Sequence, residues 1–293
     1  MLKKAVVDLS DHYRGAQPTA TIKLIAKEKA LAYLATRMPA TFAAARAAIA
    51  EVAARIAAPV SVLDLGAGTG AASLAALDVF PDLESLTLLD TDSALFNEAK
   101  LLLPQAAFIQ TDLPTLEKLP AADLVIACYA LGELKDADRA KVIERAWAAT
   151  RSAMIIVEPG TTRGFKNILA MRDQLLHADA HIVAPCPHQG ACPVPSPDWC
   201  HFAERVERTS LHRRLKGGEL GYEDEKFSYI AVSKTAVTQA FARIIRRPAH
   251  QPGFIDLTLC EGNTISNTRV GKRDKTQFRA ARHSDWGSAW EPS

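Results

Sequence analysis

Val60-Ser61-Val62-Leu63-Asp64-Leu65-Gly66-Ala67-Gly68-Thr69-Gly70 is the stretch on which the fold of this 293-residue chain turns. Val60 to Leu65 is a short apolar run that reads as a strand, and Ala71 to Leu77 reads as a helix, so the glycines between them form a tight strand-to-helix loop. Without a Cβ at those positions the backbone turns sharply and comes close to a ligand, and the amides of the following helix N-terminus face it. Outward from this loop, similar apolar runs occur at Leu86 to Leu89, Ala107 to Ile109, Leu124 to Ala127 and Met154 to Val157. A helix-capable stretch separates each from the next. Strands alternating with helices predict an α/β fold with a parallel sheet covered on both faces.

Upstream, residues 18–57 are Ala-rich, with apolar residues from Ile22 to Ile56 at helical spacing, and predict two helices broken near Pro39. After Glu158-Pro159 a helix from about Gly164 to Leu176 leads into His181 to His201, where the density of Pro, Cys and His predicts no regular element. Phe227 to Val232 regains strand character. Ala242 to Val270 reads as short strands with turns at Pro252-Gly253 and Glu261-Gly262.

An apolar share of 48% fills a sizeable core, and Lys plus Arg (35) exceeds Asp plus Glu (33) by only two, so net charge points to no partner. The distribution does. From Thr235 to Ser293 nine Lys/Arg face five Asp/Glu, which leaves the tail at plus four and the rest at minus two. The first fifteen residues hold Lys3, Lys4, Asp8, Asp11 and Arg14 without an apolar run, and no stretch nears the ~20 apolar residues of a membrane span. The expectation is a cytoplasmic protein with no membrane partner, whose five cysteines stay reduced.

Glycine spacing alone leaves the ligand open. Gly66-Ala67-Gly68-Thr69-Gly70-Ala71 also satisfies the dinucleotide fingerprint, with Asp90 about 20 residues on as a ribose partner. Three acids favour S-adenosylmethionine. Asp64 precedes Gly66 by two, where a carboxylate repels a pyrophosphate and attracts an ammonium and sulfonium. Asp90 ends the second strand, where it can accept from ribose hydroxyls, and Asp112 ends the third, where it can accept from an adenine amino group. After the fourth strand, Cys128-Tyr129-Ala130-Leu131-Gly132-Glu133 offers a thiol better explained as core filler, a Tyr that either stacks on a base or packs, and a helix-start acid. No catalytic residue is assigned.

Cys186, Cys192 and Cys200 follow a C-x5-C-x7-C spacing in a proline-stiffened loop, and Cys260 closes the apolar run Phe254 to Leu259. Thiols this close together in a reduced chain can converge on one inorganic centre, with Cys260 completing four ligands. Thiolate softness allows zinc as well as iron and sulfur, with His188 and His201 as further zinc ligands or surrounding groups.

The acid-x-Gly-x-Gly-x-Gly loop resembles the first motif of the class I methyltransferases, over about Val60 to Val157. That resemblance implies a Rossmann-like, mostly parallel seven-stranded sheet and a methyl donor held by Asp64, Gly66, Gly68, Gly70, Asp90 and Asp112. The Asn-Pro-Pro-aromatic signature of many amino-group methyltransferases of nucleic acid is missing. A second resemblance covers most of the chain. Val157-Glu158-Pro159-Gly160, Met171-Arg172, Ala184-Pro185-Cys186-Pro187-His188, Trp199-Cys200-His201-Phe202, Leu211-His212, Lys226-Phe227-Ser228-Tyr229 and Cys260 are similar to the methyltransferase-like proteins of the small ribosomal subunit. These occur in bacteria and as mitochondrial assembly factors. The resemblance implies a [4Fe–4S] cluster on Cys186, Cys192, Cys200 and Cys260, contact with small-subunit rRNA, and a role in assembling that subunit. RNA rather than DNA is the expected partner.

The domain organisation expected is a helical region over 1–58, a methyltransferase domain over 59–235 with a Cys-rich insertion at 181–215, and a basic β-rich extension over 236–293 that contributes Cys260. Two basic clusters give independent reason for RNA: Arg205, Arg208, Arg213, Arg214 and Lys216, then Arg243, Arg246, Arg247, Arg269, Lys272, Arg273, Lys275, Arg279 and Arg282. Trp286 and Trp290 either stack on bases or cap the tail against the core.

Overall fold

The computed structural model describes residues 26–216 and 219–291, so Ile22, Ile25 and the rest of the expected helical region before Ala26 lie outside the described residues. Helices α1 (Ala26–Thr36) and α2 (Met38–Ala53) meet at Arg37, with Pro39 in the first turn of α2. A proline there gives up an N–H that has no partner inside the helix anyway.

The chain then alternates: β1 (Ser61–Leu65), α3 (Ala71–Val79), β2 (Ser85–Asp90), α4 (Ser93–Leu102), β3 (Ala107–Gln110), β4 (Ala122–Cys128), α5 (Asp136–Ala149), β5 (Thr150–Pro159), α6 (Thr162–His177), β6 (His181–Ala184), β7 (Phe202–Glu207), α7 (Ser210–Lys216) and β8 (Tyr222–Ser233). The ladder runs β3-β2-β1-β4-β5-β8-β6, with β7 also paired to β8. β1 to β5 pair in parallel, while β8 runs antiparallel to β5. β8 is long enough to carry β6 beside Ala231 to Ser233 and β7 beside Tyr222 to Phe227, so the expected seven positions hold eight strands.

Period-two alternation splits the sheet's apolar residues between two cores. From β4, Leu124, Ile126 and Cys128 face the core built with α2, α3 and α4, and Val125 and Ala127 face the one built with α5 and α6. Each fully buried Leu or Ile contributes ~1.5–3 kcal/mol. β1 has β2 on one side and β4 on the other, so strand order reverses at its carboxyl end. Open α/β sheets bind ligands at that switch point.

A second, antiparallel sheet follows: β9 (Ala242–Ile244), β10 (Ala249–Gln251), β11 (Phe254–Glu261), β12 (Thr264–Gly271) and β13 (Ala289–Trp290), with helix α8 (Lys275–His283) between the last two. Ile244, Ile255, Leu257, Leu259 and Val270 form its core with Ala281 and Phe278 of α8. One expectation is corrected. His181 to Ala184 is a strand inside the stretch expected to be irregular, because β8 offers it an edge to pair with. The extension is β-rich, as expected, and it also carries α8, which Asp274 caps by accepting from the Gln277 amide at 2.9 Å.

Candidate functional site

The glycine loop has the backbone its residues demand. Gly66, Gly68 and Gly70 all have positive φ, at 68°, 54° and 79°. A Cβ on Gly66 would stand 2.4 Å from Ala130 Cβ, and one on Gly70 2.7 Å from Leu103 Cδ1, so both positions exclude a side chain by contact as well as conformation. The Gly68 amide donates to Asp90 Oδ2 at 2.7 Å, and the Asp92 amide donates to Asp90 Oδ1 at 2.8 Å. The loop is therefore braced against the end of β2.

Beside it lies a groove with about 1050 Å³ of free space, its open mouth included, walled by Gly66, Asp90, Asp92, Asp112, Glu133, Lys29 and Tyr33 among others. Of the six residues expected to hold the donor, Gly66, Asp90 and Asp112 face this groove, and Gly68 and Gly70 shape the loop. Asp64 is elsewhere. It is 1% exposed beneath the loop and accepts from the Ser73 amide at 3.1 Å and the Ser73 hydroxyl at 2.7 Å, pinning the start of α3. Burial pushes its pKa up to about 7, the Ser73 bonds pull against that, and Asp90 adds to the rise. Lys29, whose Nζ lies 3.8 Å from Asp92 Oδ2, and Tyr33 come from α1, and no sequence signal marked them.

Tyr129 packs rather than stacks. It takes φ 57° immediately after β4, is buried, and its hydroxyl donates to Glu225 Oε1 at 2.8 Å. Arg37 pairs with the same carboxylate at 3.1 Å, and its guanidinium carbon stands 5.9 Å from the Tyr129 ring centre. Cys128 is buried in the core, as filler.

The second site lies between the two sheets. Cys186, Cys192, Cys200 and Cys260 all line one cavity, together with Arg172, His188 and Arg243. All four cysteines are free thiols. Burial pushes the Cys200 thiol well up, and the nearness of Cys186, Cys192 and Cys260 adds to it. The same burial takes Cys260 to about 12, with Cys186 and Cys192 contributing. Among the described residues no three His, Cys, Asp or Glu side chains are set to hold a single metal ion. Cys260 pairs with Arg243 across β11 and β9, so both project from the face opposite Leu259 and Ile244. Arg243 Nε donates to Pro185 O at 2.9 Å and Nη1 to Gly287 O at 2.7 Å, with Glu51 Oε2 at 2.9 Å. Arg172 Nη2 donates to Gly190 O. The two arginines thus fasten the cysteine loop to the second sheet and to α6. Of the two candidate histidines, His188 lines the cavity, while His201 is stacked on Trp199 at 5.1 Å and meets Trp286 edge-on at 4.7 Å. Trp290 is buried in the second sheet's core, so both tail tryptophans cap the protein rather than offer faces to a base.

The basic clusters divide. Arg208 and Lys216 share Glu223 at 2.7 and 2.9 Å, Arg205 pairs with Asp224 at 3.0 Å, Arg269 with Asp256 at 2.7 Å, and Arg246 with Asp198. Arg213, Arg214, Lys272, Arg273, Lys275, Arg279 and Arg282 are exposed, and none has an ion pair among the described residues. Lys275, Arg279 and His283 form one stripe along α8 with Arg282 at its edge, between that stripe and the Phe278–Ala281 face.

Among the described residues no helix is long and apolar enough to cross a membrane. The chain is 27% identical over 285 residues to the human (Homo sapiens) protein named "Ribosome assembly protein METTL17, mitochondrial", covering 88% of this chain and 61% of that one. It is 25% identical over 283 residues to "Rsm22-cox11 tandem protein 2, mitochondrial" of Schizosaccharomyces pombe, covering 77% of this chain and 38% of that one. It therefore spans less than two thirds of either relative. Among solved structures, the plantazolicin methyltransferase BpumL in complex with SAH aligns with a TM-score of 0.46 and 14% identity, over 80% of this chain and 98% of that one. The family described as "Mitochondrial small ribosomal subunit Rsm22" matches residues 27–291, and the chain belongs to that family.

Proposed function

We propose that this chain is an S-adenosylmethionine-binding, iron–sulfur protein of small-ribosomal-subunit assembly that contacts small-subunit rRNA. The observation that carries the reading is the convergence of four cysteines, spread from Cys186 to Cys260, on one cavity between the two sheets. The donor set fits a [4Fe–4S] cluster. Four soft thiolates are what such a cluster takes, and the buried guanidinium of Arg172 in the cavity wall offsets part of the negative charge that four thiolates bring. A cluster bound through Cys186, Cys192, Cys200 and Cys260 leaves no ligand position open, so its role is to clamp the cysteine loop to the second sheet. The domain limits proposed are those of that clamp: 59–235 for the methyltransferase unit with its insertion, and 236–293 for the extension. Zinc is the alternative occupant. Anaerobic purification followed by iron, sulfide and zinc assay decides it: about four iron and four sulfide per chain support the cluster, and stoichiometric zinc without iron rejects it.

For the nucleoside groove, the support is its charge. Asp90, Asp92, Asp112 and Glu133 outnumber Lys29 in its wall, which suits a cationic sulfonium and ammonium and repels a pyrophosphate. Asp90 accepts from ribose hydroxyls and Asp112 from the adenine amino group in this reading. Asp64 acts indirectly, by holding Ser73 and so the loop. Calorimetry with S-adenosylmethionine and its demethylated product tests the groove.

For rRNA, the support is the exposed stripe on α8 with Lys272 and Arg273 before it. Phosphate contacts of this kind give affinity that falls steeply with salt. Crosslinking in cells locates the contact. The named relatives are mitochondrial proteins, so the compartment proposed is wherever a small subunit is assembled, rather than the cytoplasm as such.

One observation favours a second reading, that of an assembly factor that holds the donor without transferring its methyl. Tyr129, at the strand end where amino-group methyltransferases place their acceptor-facing residues, is committed to Glu225 and Arg37. Incorporation of labelled methyl into small-subunit precursors separates the two.

A further inference from the structure

Arg172 is a buried cation that the rest of the fold leaves without an adequate anion. On α6 it is only 2% exposed. Its Nη2 donates to a backbone carbonyl, and its Nη1 reaches Asp173 Oδ1 at 3.2 Å, but that carboxylate is 64% exposed and belongs to water. Its Nε is buried with no hydrogen-bond partner among the described residues. A charge held this deep needs a partner of opposite sign, and an unused N–H beside it adds to the cost. Arg243, in the wall of the same cavity, has no such deficit: Glu51 faces it, and its Nε and Nη1 donate to the carbonyls of Pro185 and Gly287. Four thiols line the space that both guanidiniums border.

We propose that Arg172 is the counter-cation of the four-cysteine centre, its Nε–H donating to a sulfur of the bound cluster and its charge setting how readily that cluster accepts an electron. The proposal rests on the cluster reading above. Arg172 is a positioning residue rather than a ligand, since a guanidinium has no lone pair to give. Reduction adds one negative charge to the cluster, and both a fixed cation and an N–H to sulfur favour the more negative state. Losing Arg172 therefore makes the cluster harder to reduce.

The test uses the full chain purified without oxygen as wild type, Arg172→Lys and Arg172→Gln. Iron and sulfide are assayed first. Each protein is then titrated with dithionite as the one-electron donor while the reduced cluster is followed by electron paramagnetic resonance. At the potential that half-reduces wild type, the expected ratio of reduced to oxidised cluster falls about tenfold in Arg172→Gln, equivalent to ~59 mV for one electron. Arg172→Lys, which keeps the charge and loses the fork, falls between. A fully loaded Arg172→Gln with the wild-type midpoint overturns the proposal. If Arg172→Gln does not fold, Arg172→Lys decides alone: a retained cluster with a lowered midpoint supports the proposal, and an unchanged midpoint or a lost cluster overturns it. Wild type without iron overturns the cluster itself, and the proposal with it, before any variant is compared.

Discussion

The groove beside Gly66 and the cavity around Cys186 are built on opposite plans. The groove is made mostly where the chain is continuous: one loop, the ends of neighbouring parallel strands, and acids that face solvent. The cavity is made where distant pieces meet, with cysteines on a loop and on a strand of a different sheet, sealed by two arginines. A pocket of the first kind forms as soon as the parallel sheet does. One of the second kind exists only when both sheets have docked, so damage to it spreads to the whole extension.

The sharpest way to break that contrast is Cys260→Ser. It should empty the cavity of iron and loosen the second sheet by several kcal/mol, because metal-binding energy is folding energy. Adenosylmethionine affinity should change little by calorimetry. A variant that keeps full iron would refute the four-ligand assignment. Next in size is Gly66→Ala, where the αL penalty of ~1–2 kcal/mol adds to ~1–3 kcal/mol of overpacking against Ala130. Urea unfolding should show a loss of about 2–5 kcal/mol. Gly68→Ala should cost only about 1 kcal/mol, because Leu95 Cδ1 stands 3.7 Å from the added carbon. Equal losses at the two positions would mean that the loop is not held as described.

The surface has its own version of the contrast. Lys275, Arg279 and Arg282 changed together to Ala should weaken RNA binding and flatten its log–log salt slope by about two to three, with little effect on melting. Arg205, Arg208 and Lys216 changed together should do the reverse, since their charges are already engaged inside the protein. The smallest effect concerns pH. Burial raises Asp64 and Glu158 to about 7, so each binds a proton more readily when folded than when unfolded. The stability they contribute is fullest below the ordinary carboxylate range and is lost as pH rises through about 7. Asp64→Asn should flatten the dependence of melting temperature on pH over that interval. An unchanged profile would mean that Asp64 is ionised throughout.

How far the molecule was legible in advance follows the same division. β1, the glycine loop and the parallel strands could be located from apolar runs and glycines, because each is specified by neighbours in sequence. Asp64 was placed correctly beside the loop but given a ligand's role, since spacing does not reveal that Ser73 claims its carboxylate. Lys29 and Tyr33 carry no local mark within an Ala-rich helix. α8 had a readable start in Asp274 and an amphipathic pattern at Phe278 and Ala281, yet strands were assigned only up to Val270 and no helix was expected after them. Arg208, Lys216 and Arg243 looked like surface charge, because an ion pair depends on a partner that only the folded chain brings near.

The rung that joins Cys260 to Arg243 has a consequence for how the chain reaches its native form. Neighbouring residues on a strand point to opposite faces, so sliding β11 by one step against β9 would bury the thiol among Ile244 and Val270 and swing Leu259 towards the arginine. A misaligned chain would have only three sulfurs to offer. If the proposed cluster binds, its capture would act as a proofreading step that fastens correctly paired strands and rejects the rest.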